Sequence, residues 1–109
     1  MARISSVSFL GKSGNKYVFN VYPIGQAFKN LGAVYAVTRR YPNGNTFSHD
    51  IIYIGETGDL STRFDDHHKA DCFTIHNSNC VCTHSENDED LRLAVEDDLV
   101  KLHKPLCND

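Results

Sequence analysis

Apolar and polar residues alternate in short runs over the first part of the chain, which is typical of half-buried β-strands. Two such runs, at 7–10 and 17–22, flank the turn-forming segment Gly11-Lys12-Ser13-Gly14-Asn15. This arrangement predicts a β-hairpin. Residues 23–31 are predicted to form a connection with room for one helical turn.

A second pair of apolar runs, at 32–39 and 50–55, predicts two further strands. The segment Pro42-Asn43-Gly44-Asn45 lies between them and is a strong turn signal, so we expect the two strands to pair in antiparallel fashion. The stretch 39–50 is long for a simple turn. It predicts a protruding hairpin tip that could contact a substrate or a partner.

Helix signals begin near the middle of the chain. Asp59 is a suitable N-cap, and the helix that follows it is predicted to run to about Ala70. Arg63 and His67 lie four residues apart and would share one face of this helix. A short strand is predicted at 80–84.

A longer helix is predicted in the last quarter of the chain. Ser85 followed by Asp88 resembles a capping arrangement, and the acidic residues around it suit a helix N-terminus. The helix should run to about Lys104, because Pro105 cannot continue it. Together these elements predict an α/β (α+β) domain with a small central antiparallel sheet flanked by helices.

Glu96 occupies an unusual position on this last helix. At about 100° per residue, one apolar face forms from Leu91, Val95, Leu99 and Leu102, and another from Leu93 and Val100. Glu96 lies between these faces with Arg92 and His103, whereas helical acids usually face solvent. One interpretation is an ordinary ion pair with Arg92 or His103, worth roughly 0.2–0.5 kcal/mol. The other is an acid with a chemical function.

Composition limits the class of protein and its partners. The chain has 109 residues, of which 40% are hydrophobic and 23% charged, as expected for one globular domain. Its net charge of −3 argues against a broad nucleic-acid-binding surface, because phosphate contacts need basic side chains. Arg39-Arg40 is the only adjacent basic pair. Any contact with nucleic acid is therefore expected to be local, weak or helped by a partner.

The chain shows neither a membrane helix nor a secretory signal. No apolar run approaches the roughly 20 residues that a membrane span needs, and residues 1–10 lack a cationic start with a long apolar stretch. We therefore predict a cytoplasmic protein without a membrane partner. The four cysteines are then expected to be thiols: Cys72, Cys80, Cys82 and Cys107. A zinc site within 67–84 is a less favoured alternative, because Cys80-Val81-Cys82 lacks the usual two-residue spacing.

Several short motifs follow one another in a distinctive order along the chain. They are Ala33-Val34-Tyr35, Tyr53-Ile54-Gly55, Glu56-Thr57-Gly58-Asp59-Leu60, Arg63 with His67, Glu96, and finally Asn108. This order resembles the GIY-YIG nuclease family over about residues 32–108. The resemblance implies a single domain over 1–109, in which 1–31 is an N-terminal β-hairpin extension to a GIY-YIG endonuclease-like core.

The resemblance implies a metal-dependent endonuclease that hydrolyses phosphodiester bonds of nucleic acid, with DNA as the expected substrate. Glu96 would hold one divalent cation, Mg²⁺ or Mn²⁺, and Arg63 would contact the phosphate. Tyr35 would act as general base or orient the water, with Tyr53 hydrogen-bonded in the same site. His67 would assist proton transfer.

Asn108 would tie the end of the chain to this site by hydrogen bonds. Two departures from the family pattern matter. Ala33 stands where the family has glycine, and no separate DNA-binding domain accompanies the motifs. We therefore expect a protein partner to supply targeting.

Each of these residues also has an ordinary structural interpretation, since most strand tyrosines are half-buried packing residues. The alternative function is a non-catalytic binding module of the same fold, which would dock on a protein or nucleic acid through the 39–50 hairpin. The acidic composition favours this alternative. A zinc-stabilised interaction domain around Cys80 and Cys82 is a third hypothesis.

Overall fold

The structure is a computed structural model that describes residues 3–108, so positions 1, 2 and 109 of the predicted domain lie outside it. Its elements in chain order are β1 Ser5–Leu10, β2 Lys16–Pro23, β3 Ala33–Asn43, β4 Thr46–Thr57, α1 Leu60–Arg63, α2 Ala70–Ile75, β5 Cys80–Ser85, α3 Glu89–His103 and a final 3₁₀ helix, Leu106–Asn108. The strands form one sheet in the order β1-β2-β5-β3-β4, and every neighbouring pair is antiparallel. The predicted α+β class, with helices flanking a small antiparallel sheet, is confirmed.

The predicted first hairpin is present. Strands β1 and β2 pair from Ser5 opposite Val21 to Leu10 opposite Lys16. Strand β2 also pairs with β5, so the hairpin belongs to the central sheet. The connection after it contains a turn at 24–25 and, within the described residues, no helical turn.

The second predicted hairpin is longer than its sequence signal. Strands β3 and β4 continue past the predicted ends, and the turn is confined to Gly44 and Asn45. Gly44 has a φ of 65°, which favours glycine. At the exposed end of this hairpin the Arg40 guanidinium lies 3.6 Å from the centre of the Phe47 ring. The stretch predicted as a tip is therefore a continuous two-stranded ladder.

The helix predicted from Asp59 to about Ala70 is wrong in its extent. Asp59 does cap a helix, accepting a hydrogen bond from the Ser61 amide at 2.8 Å, but α1 ends at Arg63. The following residues, Phe64-Asp65-Asp66-His67-His68, are all weak helix formers. The chain turns there and begins a second short helix, α2, which the sequence patterns did not predict.

The last strand and helix agree with prediction except at one cap. The N-cap of α3 is Asp88, which accepts hydrogen bonds from the Asp90 and Leu91 amides at 2.9 and 3.3 Å. Ser85 instead remains in β5, opposite Ala33 of β3. The helix ends at His103, just before Pro105, as predicted.

Alternate residues of the sheet face two different layers. The α3 face packs against α3, and the core there consists of Phe9, Phe19, Val21, Val34, Ala36, Ile54, Cys80 and Cys82 from the sheet with Leu99 from α3. The α1/α2 face packs against the two short helices, and the core there consists of Ala33, Tyr35, Val37, Ile52, Tyr53 and Val81 from the sheet with Leu60, Phe73 and Cys107 from the helices. This alternation follows from the two-residue period of a strand.

The expectation of four thiols is wrong for two cysteines. Cys72 of α2 and Cys107 of the 3₁₀ helix form a disulfide, although 35 positions separate them in sequence. Packing of α2 beside the 3₁₀ helix brings them together, which sequence spacing does not reveal. Cys80 and Cys82 are buried thiols, and burial raises the pKa of Cys82 to about 12. They join no cluster of metal-ligating side chains within residues 3–108.

Over the same described residues, the helices are too short and too polar to span a bilayer.

Candidate functional site

Tyr35 lies at the centre of a buried polar cluster on the α1/α2 face. Its side chain is 0% exposed, and its phenol oxygen lies 2.8 Å from Arg63 Nε and 2.8 Å from His67 Nε2. His67 Nδ1 accepts a hydrogen bond from the Lys69 amide at 3.0 Å. In a neutral imidazole the proton is therefore on Nε2, so His67 donates to Tyr35. The phenol oxygen thus accepts two hydrogen bonds.

The surroundings set the protonation of both groups. Burial raises the pKa of Tyr35 well above its ordinary value, although Arg63 acts to lower it. Burial and the positive charge of Arg63 lower the pKa of His67 to about 4. At neutral pH the cluster therefore contains a neutral phenol, a neutral imidazole and one guanidinium cation.

Aromatic side chains enclose this cluster. The Tyr53 ring centre lies 6.0 Å from that of Tyr35 and 5.2 Å from that of His67. Phe64, the first residue after α1, packs edge-on against Tyr35 at 5.0 Å. Such packing fixes ring orientations and excludes water from the hydrogen bonds.

Gly55 is required for Tyr35 to occupy this position. A Cβ atom at Gly55 would lie 2.6 Å from both Cζ and Oη of Tyr35. A side chain there would displace the Tyr35 ring or the β4 backbone. Gly58, by contrast, would place a Cβ at 3.6 Å from Arg92 Nη2, which is an ordinary contact. A steric constraint, the closeness of the Tyr35 ring, therefore explains why the Tyr-Ile-Gly motif has glycine at this position.

Glu96 does not form the ordinary ion pair that its helix suggested. Arg92 instead donates to Glu56 Oε1 at 2.9 Å, and His103 Nε2 lies 2.7 Å from the Leu10 carbonyl oxygen. Burial raises the pKa of Glu96, and the negative charge of Glu56 raises it further, whereas Arg63 lowers it. Glu96 is thus a half-buried carboxylate in the field of Arg63.

Arg63 connects the Tyr35 cluster with α3. It is bonded to Tyr35 on the α1/α2 face and interacts electrostatically with Glu96 of α3, the helix that covers the other face. Helix α3 packs against β4, the strand at the edge of the sheet. Arg63, Glu96 and Glu56 are all partly exposed, so a guanidinium that can bind an anion and carboxylates that can bind a cation are both accessible to solvent.

Asn108 is an anchor at the same strand and is not in the Tyr35 cluster. Its Oδ1 accepts from the Ile54 amide at 2.9 Å, and its Nδ2 donates to the Ile54 carbonyl oxygen at 2.8 Å. The side chain thereby satisfies backbone groups of an edge strand, between Tyr53 and Gly55. Tyr35 contacts Tyr53, Arg63 and His67, and Tyr53 also contacts His67. Glu96 interacts with this cluster through the charge of Arg63.

Two residues near the site were not predicted as part of it. Glu56 follows the Tyr-Ile-Gly motif directly, and Arg92 lies one turn before Glu96, so both stood beside recognised positions. Arg92 is buried and also donates to the Glu86 and Asn87 carbonyl oxygens at 3.1 and 2.9 Å. This arrangement occupies Arg92 and leaves Glu96 unneutralised by it.

Neither the known protein-family models, nor the curated proteins, nor the solved structures contain a match to this chain.

Proposed function

We propose that this chain is a metal-dependent phosphodiesterase that cleaves nucleic acid, similar in its site to the GIY-YIG nucleases. The observation that carries the proposal is the placement of Arg63. Its Nε is held by the buried Tyr35 oxygen at 2.8 Å, while its charge acts on the half-buried Glu96. Phosphodiester hydrolysis needs charge neutralisation on the phosphate and an activated water, and these two groups suit those tasks.

Tyr35 and His67 act in this proposal as positioning residues. Tyr35 is 0% exposed, so the substrate reaches Arg63 and not the phenol. His67 donates to Tyr35, and Tyr35 in turn accepts from Arg63 Nε and holds the guanidinium in one orientation. A fixed guanidinium recognises a phosphate better than a mobile one, because less rotamer freedom is lost on binding.

The carboxylates at this edge of the sheet fit a hard divalent cation. Glu96 and Glu56 repel each other, which is one reason why the pKa of Glu96 is raised. A cation beside Glu96 would relieve that repulsion, and carboxylate oxygens are the ligands that Mg²⁺ and Mn²⁺ prefer. When bound, the ion would acidify a water molecule and neutralise phosphate charge.

The expected substrate is DNA, which the protein would contact over a short stretch only. The net charge of −3 and the acidic start of α3 oppose binding along a long duplex. A protein partner that supplies targeting is therefore part of the proposal. The cytoplasmic location stays a prediction.

The test compares Glu96→Gln with Asp97→Asn. Asp97 is the neighbouring acid of α3 and pairs with Lys101 at 2.8 Å on the exposed side, so it is a matched control. Each protein is incubated with branched, single-stranded and duplex DNA and with RNA, in the presence of Mg²⁺ or Mn²⁺. We expect cleavage by the wild type and Asp97→Asn and none by Glu96→Gln. If the wild type cuts nothing, or Glu96→Gln cuts equally well, the proposal fails.

The alternative function is a non-catalytic binding module that docks through the β3–β4 hairpin. Phe47 at the end of this hairpin is 50% exposed and lies under the Arg40 guanidinium. An exposed aromatic ring beside a cation is a surface on which a partner could dock. The two functions differ in the effect of metal on thermal stability. A metal site predicts that Mn²⁺ raises the melting temperature of the wild type and Asp97→Asn, but not of Glu96→Gln. A binding module predicts no such difference.

A further inference from the structure

Three metal-ligating side chains converge away from the Arg63 site. The Sγ atoms of Cys72 and Cys107 and a ring nitrogen of His76 lie within 4.8 Å of one another. Cys72 and His76 are four residues apart at the end of α2, where the His76 amide donates to the Cys72 carbonyl oxygen at 3.2 Å. They therefore share one side of that helix turn. Cys107 comes from the 3₁₀ helix packed beside it.

We propose that Cys72, His76 and Cys107 form a zinc site whenever the Cys72–Cys107 disulfide is reduced. Two thiolates and one imidazole are ligands that Zn²⁺ prefers, and three protein ligands leave a fourth position for water. The disulfide and the zinc ion would thus be alternative links between the same two segments. This inference is independent of the phosphodiesterase proposal.

The conversion needs a two-electron reductant such as a dithiol. A thiolate of the dithiol attacks Cys72 Sγ, the sulfur that is not fully buried, and Cys107 leaves as a thiolate. The second thiol of the reductant then releases Cys72 as a thiolate, and the dithiol becomes a cyclic disulfide. The two thiol protons of the dithiol pass to solvent. The two protein thiolates and the His76 imidazole then bind Zn²⁺.

The position of the cluster allows a metal ion to enter. His76 and Leu106 line a surface cavity of about 500 Å³, and Leu106 directly precedes Cys107. His76 and Cys72 are half-buried, so two of the three ligands are reached from solvent. The other two cysteines differ, since Cys80 and Cys82 are both buried in the α3 face.

The link matters for the edge strand. Cys107 directly precedes Asn108, whose side chain holds the Ile54 backbone through two hydrogen bonds. A disulfide or a zinc ion would each keep the 3₁₀ helix beside α2 and so keep Asn108 in place. Reduction without metal removes that restraint, and we expect the end of the chain to loosen from β4.

The experiment measures metal binding by untagged protein in a phosphine reductant, because dithiols themselves bind zinc. Zinc content after gel filtration is expected to be one equivalent for the reduced wild type and near zero for the oxidised form. Co²⁺ in place of zinc should give thiolate-to-metal absorption in the near ultraviolet. Removing partners outside a metal's ligand shell costs roughly 10–100-fold in affinity, so His76→Ala should cost at least about tenfold.

Two variants separate this site from other zinc binding. Cys107→Ser should lose zinc and the Co²⁺ absorption, whereas Cys80→Ser, a thiol of the other sheet face, should keep both. Less than about a tenth of an equivalent of zinc in the reduced wild type, or unchanged binding by Cys107→Ser, would overturn the proposal. If reduction unfolds the chain, zinc should restore its far-ultraviolet circular dichroism. A reduced chain that stays unfolded in zinc would contradict the proposal as well.

Discussion

The two faces of the central sheet are built from the same strands but carry different chemistry. The α3 face buries mostly aliphatic and aromatic carbon, together with the two free thiols. The α1/α2 face buries Tyr35 and Tyr53 against His67 and is closed by a disulfide. An apolar face is stabilised by burial alone, whereas buried polar groups must find partners. The comparison indicates that the two faces are stabilised differently, one by apolar burial and the other also by buried hydrogen bonds and a disulfide.

The candidate site draws residues from both sides of the sheet. Arg63 is bonded to Tyr35 of the α1/α2 face, and its charge acts on Glu96 of α3.

Phe19→Ala tests the α3 face. Phe19 is 0% exposed and packs against Phe9 with ring centres 5.2 Å apart, so its loss should cost about 3–5 kcal/mol of unfolding free energy. Cleavage per folded molecule should stay unchanged as long as α3, which carries Glu96 and packs on the same face as Phe19, keeps its position. Urea unfolding and an assay well below the melting temperature measure the two effects. Phe19→Leu serves if the alanine variant does not fold. A matching loss of activity in folded protein would show that the faces are not separate.

Arg63→Lys tests the site at the edge of the sheet. Lysine keeps the charge but cannot reproduce the guanidinium fork or the Nε bond to Tyr35. Removing one such preorganised donor typically costs roughly 10²–10³-fold in rate. Stability should change little. The control is Arg39→Lys, in an exposed pair with Asp50, and it should retain the wild-type rate. Equal cleavage rates for the two variants would show that Arg63 does not take part in cleavage.

Gly55→Ala tests how tightly β4 packs against the Tyr35 ring. The added Cβ would lie 2.6 Å from Tyr35 Oη, so the Tyr35 ring or the β4 backbone would have to move. We expect the unfolding free energy to fall by roughly 1–3 kcal/mol. Gly58→Ala adds the same group at 3.6 Å from Arg92 Nη2 and should be close to neutral. Thermal unfolding of the pair measures the difference. Similar melting temperatures would mean that Tyr35 is not held against Gly55.

His67 should make stability depend on pH. Burial, followed by the charge of Arg63, lowers its pKa in the folded protein to about 4 from a reference value of 6.5. Between these values the unfolded chain binds a proton that the folded chain excludes. His67 therefore lowers stability as the pH falls through this window, by roughly 1.4 kcal/mol per pH unit, and not above it.

The measurement is urea unfolding between pH 4 and pH 7. His67→Gln should show a shallower pH dependence than the wild type in that window. The assignment is wrong if His67→Gln keeps the wild-type slope.

The strands were predictable because their signals are local. Alternation and turn residues located both hairpins, although the β3–β4 ladder runs further than its signal. Asp59 was recognised as a cap, yet the helix after it is four residues long and not eleven. The weak helix formers at 64–68 allow the helix to end, and the contact of His67 with Tyr35 of β3 stabilises the turn that replaces it. Local propensity alone could not show that partner.

The candidate residues likewise divide into those that local sequence signals located and those whose partners lie far away in the sequence. Tyr35 and Tyr53 were placed on adjacent strands correctly, and Asn108 does tie the chain's end to β4. The ion pair with Arg92 that the sequence allowed for Glu96 is not formed, since Glu56 takes the Arg92 guanidinium. The Cys72–Cys107 disulfide was not predicted because its two cysteines are 35 positions apart and meet only in the folded chain.

By itself, therefore, the sequence determined the alternation of the strands, the turns, the helix caps at Asp59 and before Pro105, and the order of the candidate residues. Each of these depends on neighbours within a few positions. Tertiary structure alone decided that Arg63 binds Tyr35 at 2.8 Å, that Glu96 is left without the arginine of its own helix, and that Cys72 meets Cys107. These contacts join residues at least 28 positions apart, as Tyr35 and Arg63 are. They exist only because the packed layers bring distant segments together.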